Sequence, residues 1–183
     1  MILVFLAPGF EESEAIVPVD ILRRAGLDVV TVAVGEDKEV QSSHGITVQA
    51  DITAATLPDC LPEMLVLPGG MPGTKHLDCS AFVRSYLEKA YTEGTYIAAI
   101  CAAPMVLGKQ GLLAGRNATC YPGFEQYLTG ATVGGNVVKD GPFITARGMG
   151  VAVDFGLALV ETLCGSEKAA AIREAICFPG KAE

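Results

Sequence analysis

The chain has 183 residues, of which 50% are hydrophobic, and it carries a formal net charge of −8 with only 13 lysine and arginine residues. This length suits one domain with a full core, which we expect residues 1–183 to form. The absence of a basic cluster argues against nucleic acid and anionic membrane surfaces as partners. No apolar run approaches the roughly 20 residues that span a bilayer, so the hydrophobic surplus fits a doubly covered sheet and a subunit interface.

The six cysteines and two histidines are scattered along the chain. No cysteine pair has Cys-x-x-Cys spacing and no histidine has a close cysteine partner, which argues against a structural zinc site. We interpret both histidines as solvated loop residues. The apolar N-terminus lacks the basic start of a signal peptide, so residues 1–7 read as a first strand. Together these features fit a cytoplasmic protein with reduced cysteines.

Strands and helices alternate along the first part of the chain. Apolar runs bounded by turns predict core strands at residues 1–7, 27–34, 64–68 and 95–100. Helical apolar spacing, acidic first turns and terminal glycines predict helices at residues 11–24, 80–93 and 102–109. Pro18 lies inside the first of these helices and predicts a kink or a late start.

Shorter elements complete the chain. Residues 36–52 alternate in polarity and predict a small β-excursion outside the main sheet. Residues 117–120 predict a short strand and residues 122–128 a helical turn. Asp140 and Gly141 separate two apolar runs, which is typical of a β-hairpin. After two closing helices, at residues 151–163 and 167–176, the overall alternation predicts a doubly wound α/β sandwich.

The pattern of the chain changes at Cys101. Five of the six preceding residues are apolar, which predicts a strand buried on both faces, and Pro104 suits the first turn of a helix. Ala99 and Ala103 flank the cysteine where a nucleophile elbow needs small residues. At such a turn the helix N-terminus favours thiolate, and nearby N–H groups can stabilise an oxyanion. The alternative is that Cys101 is inert filling at the end of an apolar strand.

Three further groups follow predicted strands and are expected at the sheet edge where open α/β sheets carry their sites. They are Glu14, the pair Gly69 and Gly70, and Arg147. A thiol, a carboxylate and glycine N–H groups predict acyl or carbonyl chemistry. Each group also has a plainer interpretation: Glu14 as a helix-dipole residue, Gly70 as a turn, and Arg147 as a cap or surface partner. The glycine pair has neither dinucleotide-binding nor P-loop spacing.

Four motifs, in this order along the chain, resemble the DJ-1/PfpI superfamily. They are EESEAIVPVD at residues 11–20, VLPGG at 66–70, AAICAAP at 98–104 and TARG at 145–148. The pattern is most similar to DJ-1 and the bacterial ThiJ/YajL-like proteins. The resemblance implies a flavodoxin-like sandwich with a mostly parallel central sheet, helices on both faces and a small β-hairpin excursion. It also implies a homodimer.

The resemblance further implies roles for individual residues. Cys101 would be the reactive, oxidisable nucleophile, and Glu14 the carboxyl group that hydrogen-bonds it and acts as acid and base. Oxyanion and substrate contacts would come from Gly69, Gly70, Ala102, Arg147 and Tyr121. Arg24 and His44 would line an anion pocket on the dimer side. Neither a metal nor an organic cofactor is implied.

The sequence departs from the family pattern at three positions. Cys101 is followed by Ala102, where PfpI-type proteases carry a histidine, which argues against a self-contained Cys–His protease. Tyr121, just before Pro122, stands where DJ-1 has a histidine. His44 stands where DJ-1 has an arginine. A mechanism that needs a nearby imidazole therefore has no obvious donor here.

Two functions of different class follow from these residues. The first is a stress-response enzyme, glyoxalase III-like or deglycase-like, in which the Cys101 thiolate attacks a small α-oxoaldehyde or a glycated protein and Glu14 moves protons. The second is a non-catalytic redox sensor or chaperone, in which Cys101 is oxidised to sulfinate. A thiamine-related role has no residue in its support.

Overall fold

The computed structural model describes residues 1–58 and 60–179. Its strands, in chain order, are β1 (Ile2–Leu6), β2 (Val29–Ala33), β3 (Glu39–Gln41), β4 (Thr47–Gln49), β5 (Ile52–Thr53), β6 (Met64–Leu67), β7 (Tyr96–Ile100), β8 (Asn117–Ala118), β9 (Thr132–Val133), β10 (Val137–Asp140) and β11 (Phe143–Ala146). Its helices are α1 (Glu12–Arg24), α2 (Gly73–Cys79), α3 (Ala81–Thr92), α4 (Pro104–Lys109), α5 (Ala152–Cys164) and α6 (Ser166–Ala175).

A seven-stranded sheet with the order β10–β11–β7–β6–β1–β2–β5 forms the centre of the molecule. All neighbouring pairs are parallel except β10 and β11, which form an antiparallel hairpin at one edge. Strands β3 and β4 pair outside this sheet as a separate hairpin, and β8 pairs with β9. The carboxyl ends of the central strands β1, β6, β7 and β11 therefore lie along one common edge of the sheet, which is distinct from the side edges formed by β10 and β5.

Side chains of the central strands alternate between two hydrophobic clusters, as the period-two geometry of a strand requires. In β1, Ile2, Val4 and Leu6 join one cluster, whereas Leu3 and Phe5 join the other. Helices α1, α5 and α6 cover the first cluster, and α2, α3 and α4 cover the second. Because both faces are covered, the strands read as continuous apolar runs rather than as alternating ones.

The structure confirms the predicted flavodoxin-like α/β sandwich, the β10–β11 hairpin and the β-excursion at β3 and β4. The late start proposed for the first helix is wrong, since α1 begins at Glu12 and continues through Pro18. Helix α4 begins at Pro104 instead of two residues earlier, because residues 101–103 form the turn. Helix α2 and the short strands β5 and β9 were not predicted.

Within the described part of the chain, no helix combines the length and the apolar character that crossing a membrane requires.

A close approach at Gly108 gives a prediction about helix α4. A Cβ atom at this position would collide with the backbone carbonyl of Tyr127, lying 2.9 Å from its carbon atom. Because backbone cannot move aside as a side chain can, Gly108→Ala should lower the free energy of unfolding by roughly 1–3 kcal/mol. Chemical denaturation measures this loss. Gly35→Ala is the matched control, since no atom lies within 4 Å of its Cβ position, and an equal loss in both variants would contradict the prediction.

Candidate active site

Cys101 lies at a sharp turn between strand β7 and helix α4, which we call the elbow (residues 101–103). Its φ angle is 65°, in the left-handed region that residues other than glycine rarely adopt. Its N–H donates to the carbonyl oxygen of Ala146 at 2.8 Å, which ties the elbow to the end of β11. Such strained backbone clusters at functional sites, because the surrounding structure must hold it in place. The predicted strand-to-helix turn is therefore present, with Cys101 at its apex.

Helix α1 brings Glu14 to the same edge of the sheet. Glu14 is only 1% exposed, and its Oε2 accepts a hydrogen bond of 3.0 Å from the N–H of Gly69. Its carboxyl group also accepts from the N–H of Met149 and interacts directly with the Cys101 thiol. The structure thus places the two predicted catalytic candidates against each other, with backbone donors on the carboxyl oxygens.

The environment of Glu14 favours its neutral form. Burial, chiefly, raises its pKa from an ordinary value of 4.5 to about 7, and the negative charge of Glu11 acts in the same direction. Hydrogen bonds from Cys101, Gly69 and Met149 oppose this shift without cancelling it. A carboxyl group with such a pKa can both accept and donate a proton near neutral pH.

The surroundings of Cys101 act on the pKa of its thiol in both directions. Burial, the charge of Glu14 and the hydrogen bond with Glu14 together raise the pKa of the Cys101 thiol to about 12. The N–H groups of Gly70 and Ala102 act in the opposite direction, as expected of donors at an elbow, but they are outweighed. Since a protonated Glu14 would not repel the sulfur, the repulsion applies once Glu14 has lost its proton. The Glu14 carboxylate, which contacts the thiol, is the group placed to accept its proton.

Two glycines allow these groups to approach one another. A Cβ atom at Gly69 would lie 2.5 Å from Glu14 Oε2, 2.6 Å from Cys101 Cβ and 2.8 Å from the carbonyl oxygen of Ile100. Gly70 has a φ angle of 90°, and a Cβ atom there would collide with the backbone at Glu11. No other residue type fits either position, so the predicted glycine pair serves close approach as well as hydrogen bonding.

Tyr121 and the loop after β11 form the open side of the site. The N–H of Tyr121 donates to the carbonyl oxygen of Cys101 at 2.7 Å, and its side chain is half exposed. A Cβ atom at Gly148 would lie 3.4 Å from the Tyr121 ring and 3.9 Å from Glu14 Oε1, so the ring and the carboxyl group flank the same glycine. Met149 is also exposed here. Tyr121 thus gives this side of the site an aromatic ring next to the carboxyl group.

The loop after β11 contributes a group that the sequence did not single out. The predicted contact residue, Arg147, is exposed, and its N–H donates to the carbonyl oxygen of Asn136. The N–H of Met149 instead reaches the Glu14 carboxyl group. The glycines around this position marked a loop, but they did not indicate which of its N–H groups would point inward.

One chain does not bring Arg24 and His44 together. His44 pairs with Glu12, the first residue of α1, with 3.0 Å between Nδ1 and Oε1. Arg24 is the last residue of the same helix and pairs with Asp20 at 2.6 Å. The length of α1 separates the two positions by about 18 Å along its axis. A shared anion pocket would need a second copy of the chain.

A cluster of three potential metal ligands lies beside the site. Oxygen and nitrogen atoms of Glu11, Glu12 and His44 lie within 4.8 Å of one another. Glu11 is already engaged, because its Oε2 accepts the Glu14 N–H at 2.6 Å, and Glu12 is engaged by His44. We interpret this cluster as a helix cap and an ion pair, and we assign no metal to it.

We predict that Gly69→Ala disrupts the contact between Cys101 and Glu14. The added methyl group must displace a carboxyl oxygen, a cysteine Cβ or a strand carbonyl, so we expect slower alkylation of Cys101 and a stability loss of roughly 1–3 kcal/mol. Intact-mass kinetics with iodoacetamide and denaturation curves measure the two effects. In the control Gly150→Ala, no atom lies within 4 Å of the new Cβ. Unchanged alkylation in Gly69→Ala would refute the prediction.

We also predict that Glu14 makes stability depend on pH. Its pKa is about 7 in the folded chain and near the ordinary 4.5 after unfolding, so only the unfolded chain releases the proton between these values. The contribution of Glu14 to the free energy of unfolding should therefore be fully present below pH 4.5 and fall by about 3 kcal/mol as the pH rises to about 7. Denaturation of wild type and Glu14→Gln should show a difference that grows in favour of the variant across this range. Parallel curves would contradict the shift.

A family model described as the DJ-1/PfpI family matches residues 1–162. Among curated proteins, Protein dj-1beta of Drosophila melanogaster is 39% identical over 169 residues, covering 91% of this chain and 90% of that protein. The glutathione-independent glyoxalase DJR-1.2 of Caenorhabditis elegans is 32% identical over 180 residues, covering 96% and 95%. Protein DJ-1 homolog B of Arabidopsis thaliana is 39% identical over 171 residues, which are 92% of this chain but only 39% of that protein.

Solved structures agree with these relatives. Toxoplasma gondii DJ-1 in its oxidised form superposes with a TM-score of 0.93 at 34% sequence identity, and the match covers 98% of each chain. The residues that the family model matches include Glu14 and the elbow. This chain belongs to the DJ-1/PfpI family.

Proposed function

We propose that the protein is a cofactor-independent glyoxalase that converts small α-oxoaldehydes such as methylglyoxal into 2-hydroxy acids. The observation that carries this proposal is the pairing of Cys101, at a strained elbow, with a buried carboxyl group whose pKa is raised to about 7. A nucleophile beside a group that can give and take protons is what an internal oxidation and reduction of an oxoaldehyde needs. The name of the Caenorhabditis elegans relative describes such an activity for that protein.

The first half of the proposed reaction forms a hemithioacetal. The sulfur of Cys101 attacks the aldehyde carbon while the thiol proton passes to the Glu14 carboxylate. The N–H groups of Gly70 and Ala102, which lie at the sulfur, stabilise the negative charge that develops on the aldehyde oxygen. Glu14 then returns the proton to this oxygen, so Glu14 is again ionised and the new carbon–sulfur bond is in place.

The second half moves a hydride equivalent within the substrate. Glu14 removes the proton from the former aldehyde carbon, giving an enediolate whose negative charge lies on the former ketone oxygen. Glu14 then delivers this proton to the former ketone carbon, and the hydroxyl proton on the former aldehyde oxygen moves to the former ketone oxygen. The former aldehyde carbon is thereby oxidised to a thioester, and the ketone carbon is reduced to an alcohol. Water hydrolyses the thioester, which releases the hydroxy acid and regenerates the thiol. The overall change is the addition of one water molecule.

A second candidate function is redox sensing, and the donors around the sulfur favour it. The N–H groups of Gly70 and Ala102, together with a protonated Glu14, would hydrogen-bond the oxygens of a Cys101 sulfinate. The Toxoplasma gondii neighbour was solved in an oxidised form. Peroxide treatment followed by peptide mass analysis distinguishes the two functions, because a sensor should be oxidised at Cys101 before any of the more exposed cysteines.

We further propose that the protein works in the cytoplasm as a homodimer. All six cysteines are free, which suits a reducing compartment. Ile16 on α1 and Ile46 beyond β3 are 41% and 53% exposed, and apolar side chains of this size favour burial against a partner. Sedimentation of the wild type and of Ile16→Glu tests the dimer. Identical monomeric behaviour of both would contradict it.

A deglycase action on glycated proteins would use the same Cys101 chemistry.

The glyoxalase proposal predicts lactate formation from methylglyoxal that depends on both residues of the pair. Freshly reduced wild type should produce lactate, Cys101→Ser should produce none, and Glu14→Gln should lose roughly 10²–10⁴-fold in kcat/KM because no group replaces its proton transfers. Cys164→Ser, an exposed cysteine, is the matched control and should keep full activity. Lactate formation that is unchanged in Glu14→Gln would rule out the acid–base role.

The pH dependence of the same reaction is a separate prediction. Glu14 must be ionised to accept the thiol proton, and its pKa is raised to about 7 by burial. The value of kcat/KM should therefore rise with pH, with a midpoint near 7, and then level off. A profile that rises only above pH 9, where a free thiol ionises by itself, would show that Glu14 does not serve as the base.

A further inference from the structure

Three residues at the start of α1 and after β6 form a closed cycle of hydrogen bonds. The N–H of Glu11 donates to the carbonyl oxygen of Gly69 at 2.9 Å, and the N–H of Gly69 donates to Glu14 Oε2 at 3.0 Å. The N–H of Glu14 in turn donates to Glu11 Oε2 at 2.6 Å. Each residue of the cycle is thus both donor and acceptor, and the proposed mechanism gives Glu11 no role.

The backbone of Glu11 is held firmly in this cycle. Gly70 approaches so closely that a Cβ atom there would collide with the Glu11 nitrogen. The position of the Glu11 side chain is therefore set by the loop that also carries Gly69. Any shift of Glu11 would move the first turn of α1 and, with it, the carboxyl group of Glu14 relative to the sulfur of Cys101.

The residue type at this position is unusual for a helix cap. Glu11 is the N-cap of α1, a position that normally prefers serine, threonine, aspartate or asparagine. A cap alone would be better served by one of those shorter side chains. The longer carboxylate places a negative charge beside the N–H of Glu14, where it also raises the pKa of the Glu14 carboxyl group.

We propose that Glu11 is a positioning residue of the site: its carboxylate anchors Glu14 against Cys101, and its negative charge biases the shared proton toward Glu14. Because it acts through Glu14, Glu11 does not touch the substrate. Only the effect of Glu11 on turnover rests on the proposed function, because the reactivity of the Cys101 thiol toward an alkylating reagent can be measured without turnover.

The other titratable groups around Glu14 are known from the structure. The elbow contributes Cys101, and the loop after β8 contributes Tyr121 on the far side of Gly148. The loop after β11 carries Arg147, which is exposed. Glu12, the remaining acidic residue of the first turn, is paired with His44. Glu11 is thus the carboxylate whose charge acts on Glu14.

Substitutions at Glu11 separate its charge from its capping role. Glu11→Gln keeps an oxygen acceptor for the Glu14 N–H but removes the charge, Glu11→Asp keeps both on a shorter side chain, and Glu11→Ala removes both. Glu125→Gln is the control, because it also removes one negative charge, but from a side chain that binds the N–H of Gly123 and not that of Glu14. The readout is the rate of Cys101 alkylation by iodoacetamide as a function of pH.

We expect the midpoint of this pH profile to fall by roughly one unit in Glu11→Gln, to return toward the wild-type value in Glu11→Asp, and to stay unchanged in Glu125→Gln. In Glu11→Ala the alkylation rate should also drop at every pH, since Glu14 loses its anchor. A wild-type midpoint in Glu11→Gln would overturn the proposal, even if the variant is less stable. If wild type alkylates as expected but makes no lactate, the glyoxalase function fails and the role of Glu11 stands.

Discussion

The contact between the Glu14 carboxyl group and the Cys101 thiol is the interaction on which the rest of the site depends. The two side chains come from separate βα units, and the parallel order of β1, β6, β7 and β11 brings their ends to one edge. Glycine at position 69 makes the contact possible, because any side chain there would occupy the space between the two groups. The sheet therefore sets the distance, and the glycines remove what would obstruct it.

Burying this pair costs stability, and the structure offsets the cost locally. Glu14 is almost fully buried, so its ionised form is disfavoured, and the N–H groups of Gly69 and Met149 compensate only in part. Cys101 adds a left-handed backbone conformation that its bond to Ala146 helps to maintain. A buried carboxyl group with a raised pKa and a strained backbone both lower stability, which is typical of functional sites rather than of optimised packing.

Much of this arrangement could be predicted from the sequence because it is local. The elbow follows from small residues around Cys101 and from Pro104, and the sandwich follows from apolar runs that alternate with amphipathic helices. The effect of burial on the pKa of the Cys101 thiol could not be predicted, since the helix N-terminus is visible in the sequence but burial beside Glu14 is not. The separation of Arg24 from His44 was equally hidden, because it depends on which end of α1 the β3–β4 hairpin meets.

Two further features of the structure, helix α2 and the role of Glu11, could not be predicted from the sequence either. The sequence does not indicate helix α2, because its residues, Gly73–Cys79, are mostly polar, follow a glycine-rich loop and show no apolar period. The sequence does not indicate that Glu11 caps the helix, because glutamate is not among the preferred capping residues. Its importance appears only when the loop after β6 is seen to complete a hydrogen-bond cycle with α1.

The most direct measurement is a carbon-13 NMR titration of protein labelled at the glutamate side-chain carboxyl carbons. The Glu14 signal is identified by its absence in Glu14→Gln. If burial against Cys101 governs the site, this signal should titrate with a midpoint near pH 7, well above the other glutamates. A midpoint near its ordinary value of 4.5 would show that Glu14 is a plain carboxylate at neutral pH, and the shared-proton mechanism would have to be abandoned.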